Sequence, residues 1–159
     1  LMLNIPVRGD GTIDDTEVSI LEDIAVWMGI NGEGIYATRP WKVYGEGPST
    51  QKVADKGQFG GQKDVTAFTA QDLRFTTSKD GKTLYAIALG WPSDGKITIK
   101  SLATGSAQHP GELGGIELLG SKGKVTTQHG SGGLTVTFPE AAQPAAGQVA
   151  ARAVEMALH

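Results

Sequence analysis

The stretch LRFTTSKDGKTLYAIALGW, residues 73–91, places two β-rich runs on either side of the pair Asp80-Gly81. An Asp-Gly pair between two such runs predicts a tight β-hairpin, with the positive φ angles of a type I′ turn. A second pair, Asp94-Gly95, lies between this stretch and the run ITIKSL at 97–102. We therefore expect a second hairpin there.

Short β-rich runs continue downstream at 116–120, 124–128 and 134–138, which brings the number of expected strands to six. Short strands separated by Gly-rich turns are typical of an antiparallel β-sandwich. The last segment, QVAARAVEMALH at 148–159, contains the helix-favouring residues Ala, Met and Glu but also a weak alternation. We favour one more strand there, at an edge of the sandwich, over a helix.

The N-terminal part has a different pattern. Residues 1–7, LMLNIPV, form a continuous apolar run that predicts a strand covered on both faces. A helix is expected to follow over 15–28, because Asp14 is a good N-cap with Glu17 three residues later. Apolar residues also recur at helical spacing: Val18, Leu21, Ile24, Ala25 and Met28. From 42 to 66 the chain is rich in Gly, Lys and polar residues, which predicts a linker or a long loop.

Composition excludes several classes of protein. The net charge is −3, from 14 basic and 17 acidic residues, and the absence of a basic stripe argues against nucleic acid as a partner. No apolar run approaches the roughly 18–20 residues of a membrane span. The chain has no cysteine. The spacing of His109, His129 and His159 does not resemble a metal site, so we expect neither a metal nor another cofactor.

Three segments together carry a family likeness. LMLNIPVRGDGTID at 1–14, WMGINGEGIYATRPW at 27–41 and FTAQDLRFTTSKDGKTLYAIALGWP at 68–92 occur in one order along the chain. In this respect the sequence resembles the C-terminal third of α-L-fucosidases, the family 29 glycoside hydrolases. The resemblance covers roughly residues 1–138, and the Ala-rich segment beyond Pro139 follows it poorly.

The resemblance implies a mainly β fold: an antiparallel C-terminal β-sandwich preceded by the strand–helix remnant of a (β/α)₈-type barrel. Residues 1–41 would be the last strand–helix unit of the catalytic barrel, 42–66 a linker, and 67–159 the sandwich. The family is retaining and uses two carboxylates about 5 Å apart, which belong to barrel segments upstream of residue 1. We therefore expect the C-terminal part of a longer enzyme, inactive alone, with the upstream barrel as its partner. Fucosylated glycan would bind through the intact enzyme, in a periplasmic or secreted location.

Three residues are candidate substrate contacts: Asn4, Glu33 and Trp41. Asn4 could present an amide at the mouth of a barrel, Glu33 offers a carboxylate beside Tyr36, and Trp41 could stack on a sugar. For each of them a structural role is the alternative, and no catalytic residue is expected. Two other functions stay open: a non-catalytic β-sandwich module that binds carbohydrate or a partner, and an unrelated structural domain that shares the hairpin turns.

Overall fold

The computed structural model describes residues 4–51, 68–144 and 151–159. Two helices and eight strands follow one another along these ranges: α1 Asp15–Asn31, β1 Thr38–Glu46, α2 Pro48–Gln51, β2 Leu73–Ser78, β3 Thr83–Ala88, β4 Lys96–Ile99, β5 Leu113–Leu118, β6 Thr126–Gly130, β7 Gly133–Thr137 and β8 Arg152–Leu158. Short 3₁₀ turns occupy Gly32–Gly34, Lys100–Leu102 and Glu140–Ala142.

The strands form two antiparallel sheets that enclose one apolar core. The larger sheet has the order β1-β2-β3-β8-β5 and the smaller one the order β4-β7-β6. Alternate residues of each strand point inward, so that both sheets contribute to the core, among them Phe75, Leu84, Met156, Ile99 and Val136. The expected antiparallel sandwich is confirmed.

The hairpin at Asp80-Gly81 is confirmed, but its turn is not of type I′. β2 and β3 pair through this turn, where the Gly81 N–H donates to the Ser78 carbonyl over 3.0 Å. Gly81 has a φ of +73°, whereas among the described non-glycine residues a positive φ occurs at Ala37 and not at Asp80. A type I′ turn requires positive φ at both central residues, so the four-residue loop between the strands has another form.

The expected hairpin at Asp94-Gly95 is wrong. β3 lies in the larger sheet, whereas β4 pairs with β7 in the smaller one. The segment between them therefore crosses from one sheet to the other. Gly95 still adopts a positive φ of +67°, and its carbonyl accepts a hydrogen bond from Phe138 N–H over 2.8 Å. The local turn preference was correctly identified, but it serves a crossing and not a hairpin.

The C-terminal segment is a strand, as expected, but it does not lie at an edge. β8 pairs with β3 on one side and with β5 on the other. Ala153, Val154 and Met156 are fully buried. An interior strand has neighbours on both sides and elements over both faces, which explains why apolar residues do not simply alternate here.

The predicted helix is confirmed. The Asp14 side chain accepts a hydrogen bond from Thr16 N–H over 2.9 Å at its N-terminus, and the helix continues three residues beyond the expected end, to Asn31.

The predicted buried strand at 1–7 is wrong over its described part. Residues 1–3 lie outside the described residues, and residues 4–7 form only an isolated bridge between Val7 and Ile13. Val7 is 64% exposed. Among the described residues no neighbouring strand provides a ladder for this segment, and a strand needs one to satisfy its backbone.

Part of the predicted linker is also structured. Residues 42–46 belong to β1, which crosses the expected boundary at residue 41, and Pro48–Gln51 form α2. Residues 52–66 lie outside the described ranges. Asp72, just before β2, connects α2 to the larger sheet. Its buried carboxylate accepts hydrogen bonds from Ser49 N–H, Thr69 N–H and the Thr69 hydroxyl at 2.7–2.9 Å. Burial alone would raise the pKa of Asp72, but these hydrogen bonds outweigh it and hold the pKa well below its usual range.

Replacing Gly81 with Val should lower the free energy of unfolding by at least about 1 kcal/mol, because a β-branched residue is forced to positive φ. Gly115→Val is the matched control: Gly115 lies in β5 without a positive φ, and no atom lies within 4 Å of an added Cβ. Val suits a strand, so the control should keep or raise stability. Equal losses in both variants, measured by urea unfolding, would refute the turn assignment.

Candidate functional site

The C-terminal end of α1 is fastened to the larger sheet through β8. Asn31 is fully buried; its Oδ1 accepts from Ala153 N–H and its Nδ2 donates to the Trp27 carbonyl, both over 3.0 Å. The Trp27 indole N–H donates to the Ala151 carbonyl over 2.9 Å. A buried amide with both ends paired fixes the helix in one position, because displacing it would leave unpaired polar groups in the interior.

The 3₁₀ turn after α1 lies over the outer face of the same sheet. The Thr76 hydroxyl donates to the Gly34 carbonyl over 2.6 Å, and the Tyr85 hydroxyl donates to Glu33 Oε1 over 2.9 Å. Tyr85 is 4% exposed although it points away from the core between the sheets. The turn therefore covers the outer side of β2 and β3.

Three carboxylates surround this contact. Glu155 on β8 is directly opposite Tyr85 on β3 and directly opposite Glu117 on β5. The three side chains therefore share the outer face of the sheet. Partial burial raises the pKa of Glu155, and the Glu33 and Glu117 carboxylates raise it further. Burial, followed by the hydrogen bond to Glu33, raises the pKa of Tyr85 above its usual range. Tyr85 therefore remains a neutral hydrogen-bond donor at ordinary pH.

Large apolar side chains are exposed along α1, interspersed with Asp, Glu, Ser and Thr residues. Five large apolar side chains of the helix are 37–59% exposed, and we call them the α1 apolar surface: Val18, Ile20, Ile24, Val26 and Ile30. Leu21 and Met28, two other apolar side chains of the helix, are half-buried. At about 100° per residue these five positions are spread around the helix axis, and exposed apolar side chains on several sides of a helix favour its burial against other elements.

The three candidate substrate contacts are not brought together. Asn4 is exposed ahead of α1, and Glu33 is exposed over the outer face of the sheet, where it binds Tyr85. Trp41 packs on the opposite side, against the core, with its ring edge-on to Phe75 at 5.3 Å between centroids. Trp91 packs against Phe138, with 5.1 Å between the ring centroids.

A cavity of about 320 Å³ lies beside the end of α1, lined by Ile30, residues 118–123, Ala141, Ala142 and Arg152. None of these residues is acidic. Two-carboxylate hydrolysis requires acidic groups facing one another across a substrate pocket, and the carboxylates around Tyr85 do not line this cavity. The described residues around this cavity therefore do not form a two-carboxylate site.

The residues that join α1 and its 3₁₀ turn to the larger sheet were not predicted from the sequence. Asn31, Tyr85 and Glu155 are separated by tens of residues, and their contacts depend on how β8 enters the sheet. A polar residue in the last turn of an apolar helix, as Asn31 is, was the one signal that could have indicated a side chain contacting another element. In the described ranges, no helix combines the length and apolarity needed to cross a membrane.

The comparison with known families decides the assignment. The model of the family described as "Alpha-L-fucosidase C-terminal domain" matches residues 62–154, more than half of the chain. The chain belongs to the α-L-fucosidase C-terminal domain family. The resemblance seen in the sequence is thereby confirmed for the sandwich.

Curated α-L-fucosidases match a longer stretch. Rat and human tissue α-L-fucosidase are each 30% identical over 140 residues, 87% of this chain and 24% of the relative. The α-L-fucosidase of the lancelet Branchiostoma floridae is 30% identical over 99 residues, 62% of this chain and 17% of the relative. The chain thus spans about a quarter or less of the length of these relatives.

Solved structures share the fold. A Thermotoga maritima α-fucosidase bound to a mechanism-based inhibitor superposes with a TM-score of 0.66 at 22% identity, covering 98% of this chain and 30% of the other. A Bacteroides thetaiotaomicron family 29 α-L-fucosidase gives a TM-score of 0.59 at 16% identity, covering 98% and 27%. These matches extend the common fold over nearly the whole chain, α1 included.

Glu155→Gln should stabilise the domain at neutral pH and not in acid. Below the ordinary carboxyl pKa of about 4.3, Glu155 is protonated in both states and the two proteins should differ little. As pH rises from that value through the raised pKa, the unfolded state ionises first, so the wild type loses stability. Glutamine cannot ionise and avoids this loss.

Urea unfolding of both proteins between pH 3 and pH 8 measures the difference. Added salt should reduce it, because salt screens the repulsion from Glu33 and Glu117. If the free energies of unfolding of the wild type and Glu155→Gln changed in parallel with pH, the outer-face carboxylates would not interact through Glu155.

Proposed function

We propose that this chain serves as the C-terminal part of an enzyme that hydrolyses terminal α-L-fucosyl linkages in glycans, and that it holds the catalytic barrel through the α1 apolar surface. One observation supports this most strongly. In a chain of the α-L-fucosidase C-terminal family, the helix ahead of the sandwich is fastened at one end by Asn31 and leaves five large apolar side chains exposed.

The energetics favour a covered helix. Fully burying a Val, Leu or Ile side chain is worth roughly 1.5–3 kcal/mol relative to leaving it exposed. Because the α1 side chains are 37–59% exposed, covering all five would gain several kcal/mol. A barrel formed upstream would supply that cover, and α1 would be its last helix, joined to the sandwich by β1.

In this proposal the two catalytic carboxylates come from the barrel. Glu33 has a supporting role, since its carboxylate accepts the Tyr85 hydroxyl and fixes the 3₁₀ turn on the sheet. Trp41 stabilises the core edge through Phe75. Asn4 retains the stronger case for a substrate contact, because its exposed side chain lies ahead of α1, on the segment assigned to the barrel. A fucosylated glycan would bind through the intact enzyme, and the family suggests a periplasmic or secreted location.

The alternative of an independent carbohydrate-binding module has less support. Such modules present aromatic rings to sugars, but Trp41 and Trp91 use their rings to pack against Phe75 and Phe138. The exposed Tyr44 lies with its ring 6.0 Å from the Arg74 guanidinium, so one side of it is engaged within the protein. No contact of the described residues favours sugar binding by the sandwich itself.

The chain alone should not hydrolyse a chromogenic α-L-fucoside, because the described residues bring no pair of carboxylates together across a pocket. The measurement is release of the chromophore by pure protein, beside Glu33→Gln and a full-length α-L-fucosidase as positive control. Turnover by the wild-type chain that disappears in Glu33→Gln would refute the supporting role of Glu33. If Glu33→Gln showed the same turnover as the wild-type chain and a mock purification matched both, the activity would come from a contaminant. The expected result, an inactive chain, would then stand.

A further inference from the structure

The cavity beside the end of α1 is bounded by α1, by the turn after β5 and by the last 3₁₀ turn, which meet without intervening side chains. Gly120 packs directly on Ile30, because a Cβ at this glycine would collide with Ile30 Cγ2. A Cβ at Gly123 would lie 2.7 Å from Pro139 Cγ, just ahead of the last 3₁₀ turn. The turn that carries both glycines is therefore in contact with its two neighbours, and the walls of the cavity are preformed.

Backbone hydrogen bonds hold the turn after β5 against the larger sheet. The Leu119 N–H donates to the Ala153 carbonyl on β8 over 3.0 Å, and the Ser121 N–H donates to the Leu118 carbonyl over 3.1 Å. The Gly123 N–H donates to Ser121 Oγ, also over 3.1 Å. A ligand that enters a cavity with walls fixed in this way has little protein reorganisation to offset.

The lining combines aliphatic surface with two cationic side chains. Ile30, Leu118 and Ala142 supply aliphatic surface, whereas Lys122 and Arg152 supply positive charge. None of the described lining residues is acidic, and within the described ranges Lys122 forms no ion pair. Apolar walls with a few polar groups are typical of small-molecule sites, and here the polar groups favour an anion.

Arg152 is the better fixed of the two cations. It is half-buried at the start of β8, and its Nη1 donates to the Ala151 carbonyl over 2.9 Å. Burial lowers the pKa of Arg152, but a guanidinium stays protonated at neutral pH. Its planar set of donors matches the two oxygens of a carboxylate, and partial removal from water strengthens such a hydrogen bond. Lys122 is exposed and adds a second positive charge on a flexible side chain.

We propose that this cavity binds a small ionised carboxylic acid, with its carboxylate at Arg152 and Lys122 and an apolar body against Ile30, Leu118 and Ala142. The volume of about 320 Å³ is at the lower end of the roughly 300–1,000 Å³ of small-molecule pockets, so the body is of about the size of one aromatic ring. The site goes beyond the proposed function and does not depend on it, because the chain forms the cavity by itself.

An NMR titration of the ¹⁵N-labelled wild-type chain at pH 7 with phenylacetate tests the site. Phenylacetamide is the matched probe without the charge, and acetate is the matched probe without the ring. Phenylacetate should shift the amide signals of 119–123 saturably, with Gly81 unchanged as an internal reference. The other two probes should bind at least about tenfold more weakly, because each lacks either the charge-assisted hydrogen bonds or the apolar body.

Added salt should weaken the binding of phenylacetate, because salt screens the attraction between the carboxylate and the two cations. Absence of a saturable shift, equal binding of phenylacetate and phenylacetamide, or shifts centred away from the lining would each overturn the proposal.

Lys122→Gln and Lys124→Gln form a matched pair, since Lys124 is exposed two residues further on and does not line the cavity. Lys122→Gln should bind phenylacetate about threefold more weakly than the wild type, the effect of losing one exposed charge. Lys124→Gln should bind it like the wild type. Ala141→Leu, at an exposed lining residue, should weaken binding more than Lys122→Gln because it fills part of the cavity. Equal affinities of the two lysine variants, or unchanged binding by Ala141→Leu, would contradict the assignment.

Discussion

The side-chain amide of Asn31 is the contact on which the relation between helix and sandwich depends. It accepts the backbone N–H of Ala153 on the interior strand β8 and donates to Trp27 one turn back. Because Asn31 is fully buried, no water replaces these hydrogen bonds, and the helix end stays where they are satisfied. That placement puts the 3₁₀ turn over Tyr85, so the larger sheet has a core on one face and a cover on the other.

The same fastening holds one side of α1 and leaves others exposed. Its last turns contact β8, while Val18, Ile20 and Val26 remain exposed. Under the proposed function, these residues form the surface on which the upstream part of an α-L-fucosidase would rest.

Local signals in the sequence predicted the elements well, but not their partners. The N-cap at Asp14 and the Asp80-Gly81 hairpin depend on neighbouring residues, and the structure confirms both, although the turn is not of type I′. Asp94-Gly95 has the same local preference yet serves a crossing between sheets, because β4 pairs with β7, whose residues lie about 35–41 positions further along the chain. The interior position of β8 and the Tyr85–Glu33 hydrogen bond, which spans 52 residues, likewise follow from tertiary packing.

The most direct test of the docking surface is hydrogen exchange of residues 15–31 in the chain alone and within a full-length α-L-fucosidase that contains this segment. The account predicts greater protection of the 18–26 amides in the full-length protein, with β7 unchanged as an internal reference, because the α1 apolar surface becomes covered. Equal protection of 18–26 in both proteins would contradict the claim that this helix holds the catalytic barrel.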